Sequence, residues 1–195
     1  VNPQSPIQTM KELVASSLVK PISYGSIGVG SAAHLVGECL KPVTGAKFEH
    51  VPYKGGAPAV FDAVAGHIPL VMSSLASLGP YIKTGKLRAI AVSSAERWPG
   101  YSDIPTLNEQ GLKNFQVTVW HGVYAPKGTP KQAVDKLAAA IKTSIADAGY
   151  KAKMSELGAT VPNEKNASPE GHKAHLKAQI DLWTPIIKKA GVYAD

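Results

Sequence analysis

The sequence predicts an α/β fold with a mostly parallel sheet, and three observations carry that prediction. Strand-like runs of β-branched and apolar residues alternate with amphipathic helical runs through the first half of the chain, the pattern of parallel strands joined by right-handed helical crossovers and covered on both faces. Glycine-bearing turns lead from strand to helix at YGSIGVGSAAHL (24–35) and VPYKGGAPAV (51–60). The 195 residues, 44% hydrophobic and 18% charged, suffice for a real core, and no run of about eighteen apolar residues is present to span a bilayer.

The elements follow in order. Thr9 with Glu12 three residues later is a capping-box pattern, and Met10, Leu13, Val14 and Leu18 recur at helical spacing, so a first helix runs from Met10 to about Leu18. Pro21 to Tyr24 reads as a short buried strand. Ser31 to about Lys41 reads as a helix that Pro42 should end or bend, because proline has no amide to donate. Lys47 to Val51 is a second strand. A helix then opens at Pro58, where a missing N–H does no harm, and stops at Gly66. HIPLVMSS (67–74) reads as a strand, ASLGPYIKTG (76–85) as a short helix ending at Gly85, and KLRAIAVSS (86–94) as a strong strand.

ERWPGYSDIPTLNEQG (96–111) is rich in turn residues, with one short helix after Thr106. Val117, Val119, Val123 and Tyr124 mark one or two extended segments. From Thr129 the chain is mainly helical: Thr129 caps and Pro130 opens a helix through Ile145, and Ser168 with Pro169 opens another through Lys189. Pro185 should kink the latter. A lobe boundary therefore falls near Gln116 to Trp120, with an α/β lobe before it and a helical tail after it.

Charge and cysteine content narrow the function. The net charge is +7, but Lys41, Lys47, Lys54, Lys83, Lys86, Lys127 and Lys131 are scattered instead of forming a stripe. This argues against nucleic acid as a partner and for a field that favours small anions. Cys39 is the single cysteine, so no internal disulfide or cysteine-based metal site forms; among Leu35, Val36 and Leu40 it reads as helix filler. The opening VNPQSPIQTM has neither the basic nor the apolar region of an export signal.

The glycine stretch invites comparison with nucleotide loops and fails each. Gly25, Gly28 and Gly30 give G-x-x-G-x-G, not G-x-G-x-x-G, and no acid stands at a strand end about twenty residues on. Glu49 lies inside a strand beside His50, and a Walker Gly-Lys-Ser/Thr is missing. What survives is the physics these motifs share. The first turn of a helix has unpaired N–H groups and a partial positive charge, and glycines let an anion approach. Anion capture at Ser26 to Ala33 stands beside the plainer reading of a structural turn.

The second loop repeats the arrangement, and adjacent parallel strands would aim both loops at one edge of the sheet. There Tyr53 offers a hydroxyl and Lys54 a charge, although an exposed lysine is more often a solvated group. Ser73 and Ser74 end a third strand; either bonds a ligand or caps the next helix, with capping the better reading for Ser74. No G-x-S-x-G elbow supports hydrolysis. His172 and His175 lack a nearby cysteine or paired carboxylates, so no metal is expected. No cofactor is expected either. His34 reads as a capping or packing residue before it reads as a base. An enzyme of small anionic metabolites, using His34 or Ser31 with the same loop, is the alternative to a binding protein.

Taken together, YGSIGVGSAAHLVGE, HVPYKGGAPAV, YIKTGKLRAIAVSSAER, DIPTLNEQGL, WHGVYAPKGTP and MSELGA resemble, in order and spacing, the Bug (Bordetella uptake gene) or TctC-like proteins. These are periplasmic solute receptors of tripartite tricarboxylate transporters. The resemblance covers the whole chain. It implies a periplasmic-binding-protein-like α/β lobe, two lobes around a cleft, a small organic carboxylate bound there without chemistry, and membrane transporter subunits as partners. Matched residue by residue, it implies ligand-binding roles for Ser26, Gly28, Gly30, Ser31 and Ala32, and for Tyr53, Lys54 and Gly55. Trp120, which the resemblance adds to the ligand-binding residues, and Gly122 match a W-x-G return strand into the other lobe. Ser73 stands where the family often has Asp, which weakens the case for an amino-acid ligand.

The family also implies a preceding first-lobe region of about a hundred residues, a common size for such a unit. Residues 1–117 would then be the second lobe, and 118–195 would complete the first. On that expectation the chain is a fragment whose Val134, Leu137, Ile141 and Ile145 lack much of their cover, so that alone it self-associates or frays in its C-terminal half.

Overall fold

The computed structural model describes residues 1–113 and 115–190. They form two compact units, one of Val1–Val119 with the residues from Ile187, the other of Trp120–Ile186.

In the first unit, helix α1 (Met10–Val19) opens on the capping box: Thr9 Oγ1 accepts the Glu12 N–H at 3.2 Å, and Glu12 accepts the Thr9 N–H at 3.1 Å. Strand β1 (Ile22–Ser26) leads to α2 (Ala32–Thr44), β2 (Phe48–Pro52), α3 (Gly56–Ala65), β3 (Leu70–Val71) and α4 (Leu75–Lys83). The three strands form a parallel sheet in the order β2-β1-β3, flanked by helices. The central strand is buried through Tyr24, Gly25 and Ser26, as a parallel strand covered on both faces must be. Tyr24 is fully buried; its ring meets the edge of Phe48 at 6.2 Å, and its hydroxyl donates to His34 O and Glu38 Oε1, each at 3.2 Å. Gly37 makes room for it, since a Cβ there would overlap the Tyr24 ring and hydroxyl. On the other side Ala59, Val60 and Ala63 of α3 pack with Ile68, Val71 and Leu87.

Several local expectations are corrected. Pro42 does not end α2, which runs two residues further to Gly45 in the left-handed conformation; in the last turn a proline forfeits only its bond to Glu38 O. Helix α3 begins at Gly56, so Pro58 sits within the first turn, where its missing N–H still costs nothing. The third strand contracts to two residues.

KLRAIAVSS forms no ladder, because its backbone is satisfied piecemeal by three segments. Arg88 exchanges bonds with Val1 (2.8 and 2.9 Å), Val92 pairs with Pro105 and Leu107, and Ser93 O accepts the Val117 N–H. One isolated bridge, Val92 to Thr106, is what remains. The helix expected after Thr106 is a run of turns, and the stretch of Val117 to Tyr124 carries no strand.

The second unit is helical: α5 (Lys131–Ala146), α6 (Ala148–Glu156), α7 (Glu164–Ala167) and the part of α8 (Pro169–Ala190) up to Ile186. Thr129 does not cap α5. Its hydroxyl donates to Pro126 O at 2.8 Å instead, and Pro130 takes the cap position without a side-chain bond. Ser168 does cap α8, accepting the Gly171 N–H at 3.0 Å. Helix α6, whose Asp147 cap accepts the Tyr150 N–H at 2.7 Å, shows almost no amphipathic stripe, so its sequence carries little signal. Of the four apolar residues expected to lack cover, Leu137 is exposed and Val134 and Ile141 half-buried, whereas Ile145 is buried.

Candidate functional site

Strands β1 and β2 end side by side, with Ser26 opposite Pro52, so the turns that follow leave the sheet at one edge. The main chain ties them together: the Tyr53 N–H donates to Ser26 O at 3.1 Å, and the Met72 N–H donates to Gly25 O at 2.9 Å, bringing the end of β3 to the same edge. A Cβ on Gly28 would lie 3.5 Å from Tyr53 O, and one on Gly56 would lie 3.6 Å from Ile27 Cγ2 and 3.8 Å from Ser77 Oγ. The starts of α2, α3 and α4 therefore converge.

The first turn is folded on its own polar groups. Gly28 and Gly30 have φ of 129° and 76°, a region that side chains rarely tolerate. Ser26 is fully buried; its hydroxyl accepts the Gly28 N–H and donates to Gly28 O, both at 3.1 Å, and stands 2.6 Å from His50 Nε2. Ser31 caps α2, accepting the His34 N–H at 3.2 Å and donating to Gly28 O at 2.7 Å. The Gly30 N–H donates to His34 Nδ1 at 3.1 Å. Among the described residues, the Ala32 and Ala33 N–H groups have no hydrogen-bond partner.

The second turn is simpler. Gly55, at φ 111°, precedes α3 without any side-chain cap. Neither α2 nor α3 has an acid in its first turn, so both positive helix ends are uncompensated there. Tyr53 is half-buried, and its hydroxyl is turned away to Asp62 Oδ2 of α3 at 2.7 Å; burial and that bond push the hydroxyl up to about 12. Lys54 is exposed, and Ser73 half-buried at the end of β3. Ser74 caps α4, accepting the Ser77 N–H at 3.4 Å.

The sheet edge thus gathers Ser26, Gly28, Gly30, Ser31, Ala32, Tyr53, Lys54, Gly55 and Ser73. Trp120 belongs to the second unit, where its ring meets His175 at 4.8 Å and His172 at 5.7 Å, both edge-on. Beneath the first turn lies a feature the sequence did not reveal: the rings of His34 and His50 stack at 3.8 Å and 13°. Burial holds both below the ordinary histidine range, His50 at about 4, where the neighbouring His34 adds to the effect. Only the β1–β2 register, which sets His50 opposite Tyr24, brings that ring under the turn.

Residues 1–192 match the TctC family, described as the tripartite tricarboxylate transporter family receptor. A curated relative from Agrobacterium vitis is 32% identical over 188 residues, which are 94% of this chain and 54% of that protein. An R. palustris protein solved with adipate is 31% identical, with a TM-score of 0.90 over 98% of this chain and 64% of its own. The MatC protein of Rhodopseudomonas palustris, solved with bound malate, is 27% identical, with a TM-score of 0.86 over 95% of this chain and 64% of its own. The chain spans about half the length of most of the curated relatives it matches, and 94% of one from Pseudomonas knackmussii.

Proposed function

The chain belongs to the tripartite tricarboxylate transporter receptor family, and we propose that its protein binds a small organic carboxylate, a dicarboxylate first among candidates, and delivers it to membrane transporter subunits. The observation that carries this reading is the pair of glycine turns at one sheet edge, each opening a helix with no acid in its first turn. A carboxylate there accepts hydrogen bonds from first-turn amides such as those of Ala32 and Ala33, and it neutralises the positive ends of α2 and α3. Gly28, Gly30 and Gly55 keep the approach free of side chains, while Lys54 adds a positive charge at the rim. Ser26 and Ser31 act from within, by fixing the turn, because their hydroxyls are engaged by Gly28 and His34. Ser73, at the same edge, is available to a hydroxyl on the solute.

Two relatives of solved structure hold dicarboxylates, adipate and malate, which supports the choice of solute class. The periplasm is the compartment this reading requires, because a receptor serves its transporter from the side on which the solute arrives. The enzyme alternative falls away: the family is one of receptors, His34 Nδ1 is occupied by the Gly30 amide, and Ser31 is a helix cap.

Isothermal titration of the full-length protein with di- and tricarboxylates and aromatic acids tests the proposal. At least one acid should bind without turnover, and Gly30→Val should abolish binding while the fold persists, because a branched residue at φ 76° both strains the turn and blocks the anion. Failure of every acid to bind would end the reading.

A further inference from the structure

We propose that His34 is a positioning residue for the solute: its neutral imidazole accepts the Gly30 amide and so holds the glycine turn in the shape that leaves the Ala32 and Ala33 amides open. The inference rests on the reading that this turn receives a carboxylate.

A backbone N–H only donates, so Nδ1 of His34 must carry a lone pair in this geometry and its proton must sit on Nε2. The ring is 5% exposed and has little freedom to turn, because it is stacked face to face on His50. His50 in turn reaches Ser26 Oγ, which accepts the Gly28 amide. Two imidazoles from two elements therefore hold two glycines of one turn from below. Nothing in a merely structural strand-to-helix turn requires this, since Ser31 already caps the helix.

The surrounding charges fit a neutral pair. From α2, Glu38 Oε1 stands 3.7 Å from His34 Nε2, but it is already engaged by Lys41 Nζ at 2.6 Å and by the Tyr24 hydroxyl of β1 at 3.2 Å. From β2, the facing group is His50 itself. Protonating His34 would turn Nδ1 into a donor aimed at the Gly30 N–H and set a charge against the stacked ring, so the turn would have to open. Burial delays that event below the ordinary histidine range.

The test uses the full-length receptor, adipate as probe and two substitutions. His34→Asn keeps an acceptor near Nδ1 but cannot titrate; His34→Leu keeps bulk and removes the acceptor. At neutral pH, Leu should weaken adipate binding about tenfold and Asn less than about threefold, the span expected for one lost or kept ordering hydrogen bond. Measured without solute, the hydrogen-exchange protection factor of the Gly30 amide should fall in the parent as pH drops through the acid side of the histidine range. It should stay level in Asn and be low at every pH in Leu. Thermal unfolding separates a folded Leu variant from a misfolded one. Equal behaviour of Leu and Asn, or parental Gly30 protection in Leu, would overturn the proposal. If the parent binds neither adipate nor any other acid, the carboxylate reading falls on its own, and Gly30 protection then decides the turn contact by itself.

Discussion

In Val1–Val119 the side chains of Leu13, Tyr24 and Val60 are at most 2% exposed, while across Trp120–Ile186 Ile145 is the buried apolar residue among those described, and Leu137, Tyr150, Leu157, Ile180 and Leu182 stand 40–54% exposed. The difference follows from architecture. A parallel sheet has two faces, each covered by helices, so short strands and modest helices enclose a core. The second unit has helices without a sheet among its described residues, and its order rests on local devices. These are the Asp147 and Ser168 caps and exposed pairs such as Lys131–Asp135, Lys177–Asp181 and Lys142–Glu164. Such exposed pairs are screened by water and contribute little to stability. The buried core beneath the glycine turns is that of the first unit.

The largest expected effect breaks that core directly. Leu13→Ala, at a 1% exposed position, should destabilise the first unit by about 2–5 kcal/mol in urea unfolding. An intermediate effect comes from acid. An unfolded chain takes up protons on His34 and His50 near pH 6.5, whereas the folded unit resists, His50 to about 4. The unfolded state therefore binds more protons in this window, so the stability is fully present above it and is lost as pH falls from about 6.5 through about 4. Allowing for solvent screening, the loss is on the order of 1 kcal/mol, read from urea midpoints across that range, and a His34→Asn, His50→Gln double variant should flatten it. The smallest effect sharpens the contrast: Leu137→Ala in α5, at 51% exposure, should change stability by no more than about 0.5 kcal/mol. A loss as large as that of Leu13→Ala would mean that the second unit has a core of its own.

The features that were legible in the sequence are local ones. Thr9 with Glu12, Ser31, Ser168 and Gly66 after α3 announce helix ends because caps act within a few residues. The alternation of strands and helices foretold the parallel sheet, and parallel neighbours foretold two turns at one edge. What failed depends on partners distant in sequence. KLRAIAVSS has the composition of a strand, but a strand exists only through its neighbours, and here Val1, Pro105 and Val117 each satisfy a residue or two. Thr129 is the local exception: its hydroxyl found an acceptor three residues back, in Pro126 O. At the site, the glycine pattern was readable, whereas the inward engagement of Ser26 and the His34–His50 stack required the register of β1 on β2, and the turn of the Tyr53 hydroxyl to Asp62 required the placement of α3.

The most direct test of the central claim, that the converging helix starts receive a carboxylate, is amide chemical-shift mapping of this chain as adipate is added through the millimolar range, where even weak binding registers. The account predicts saturable shifts concentrated at residues 28–33 and 53–57, with the amides of α5 and α6 unmoved, and their disappearance in Gly30→Val. Saturable shifts centred elsewhere, or shifts at the glycine turns that survive Gly30→Val, would contradict it.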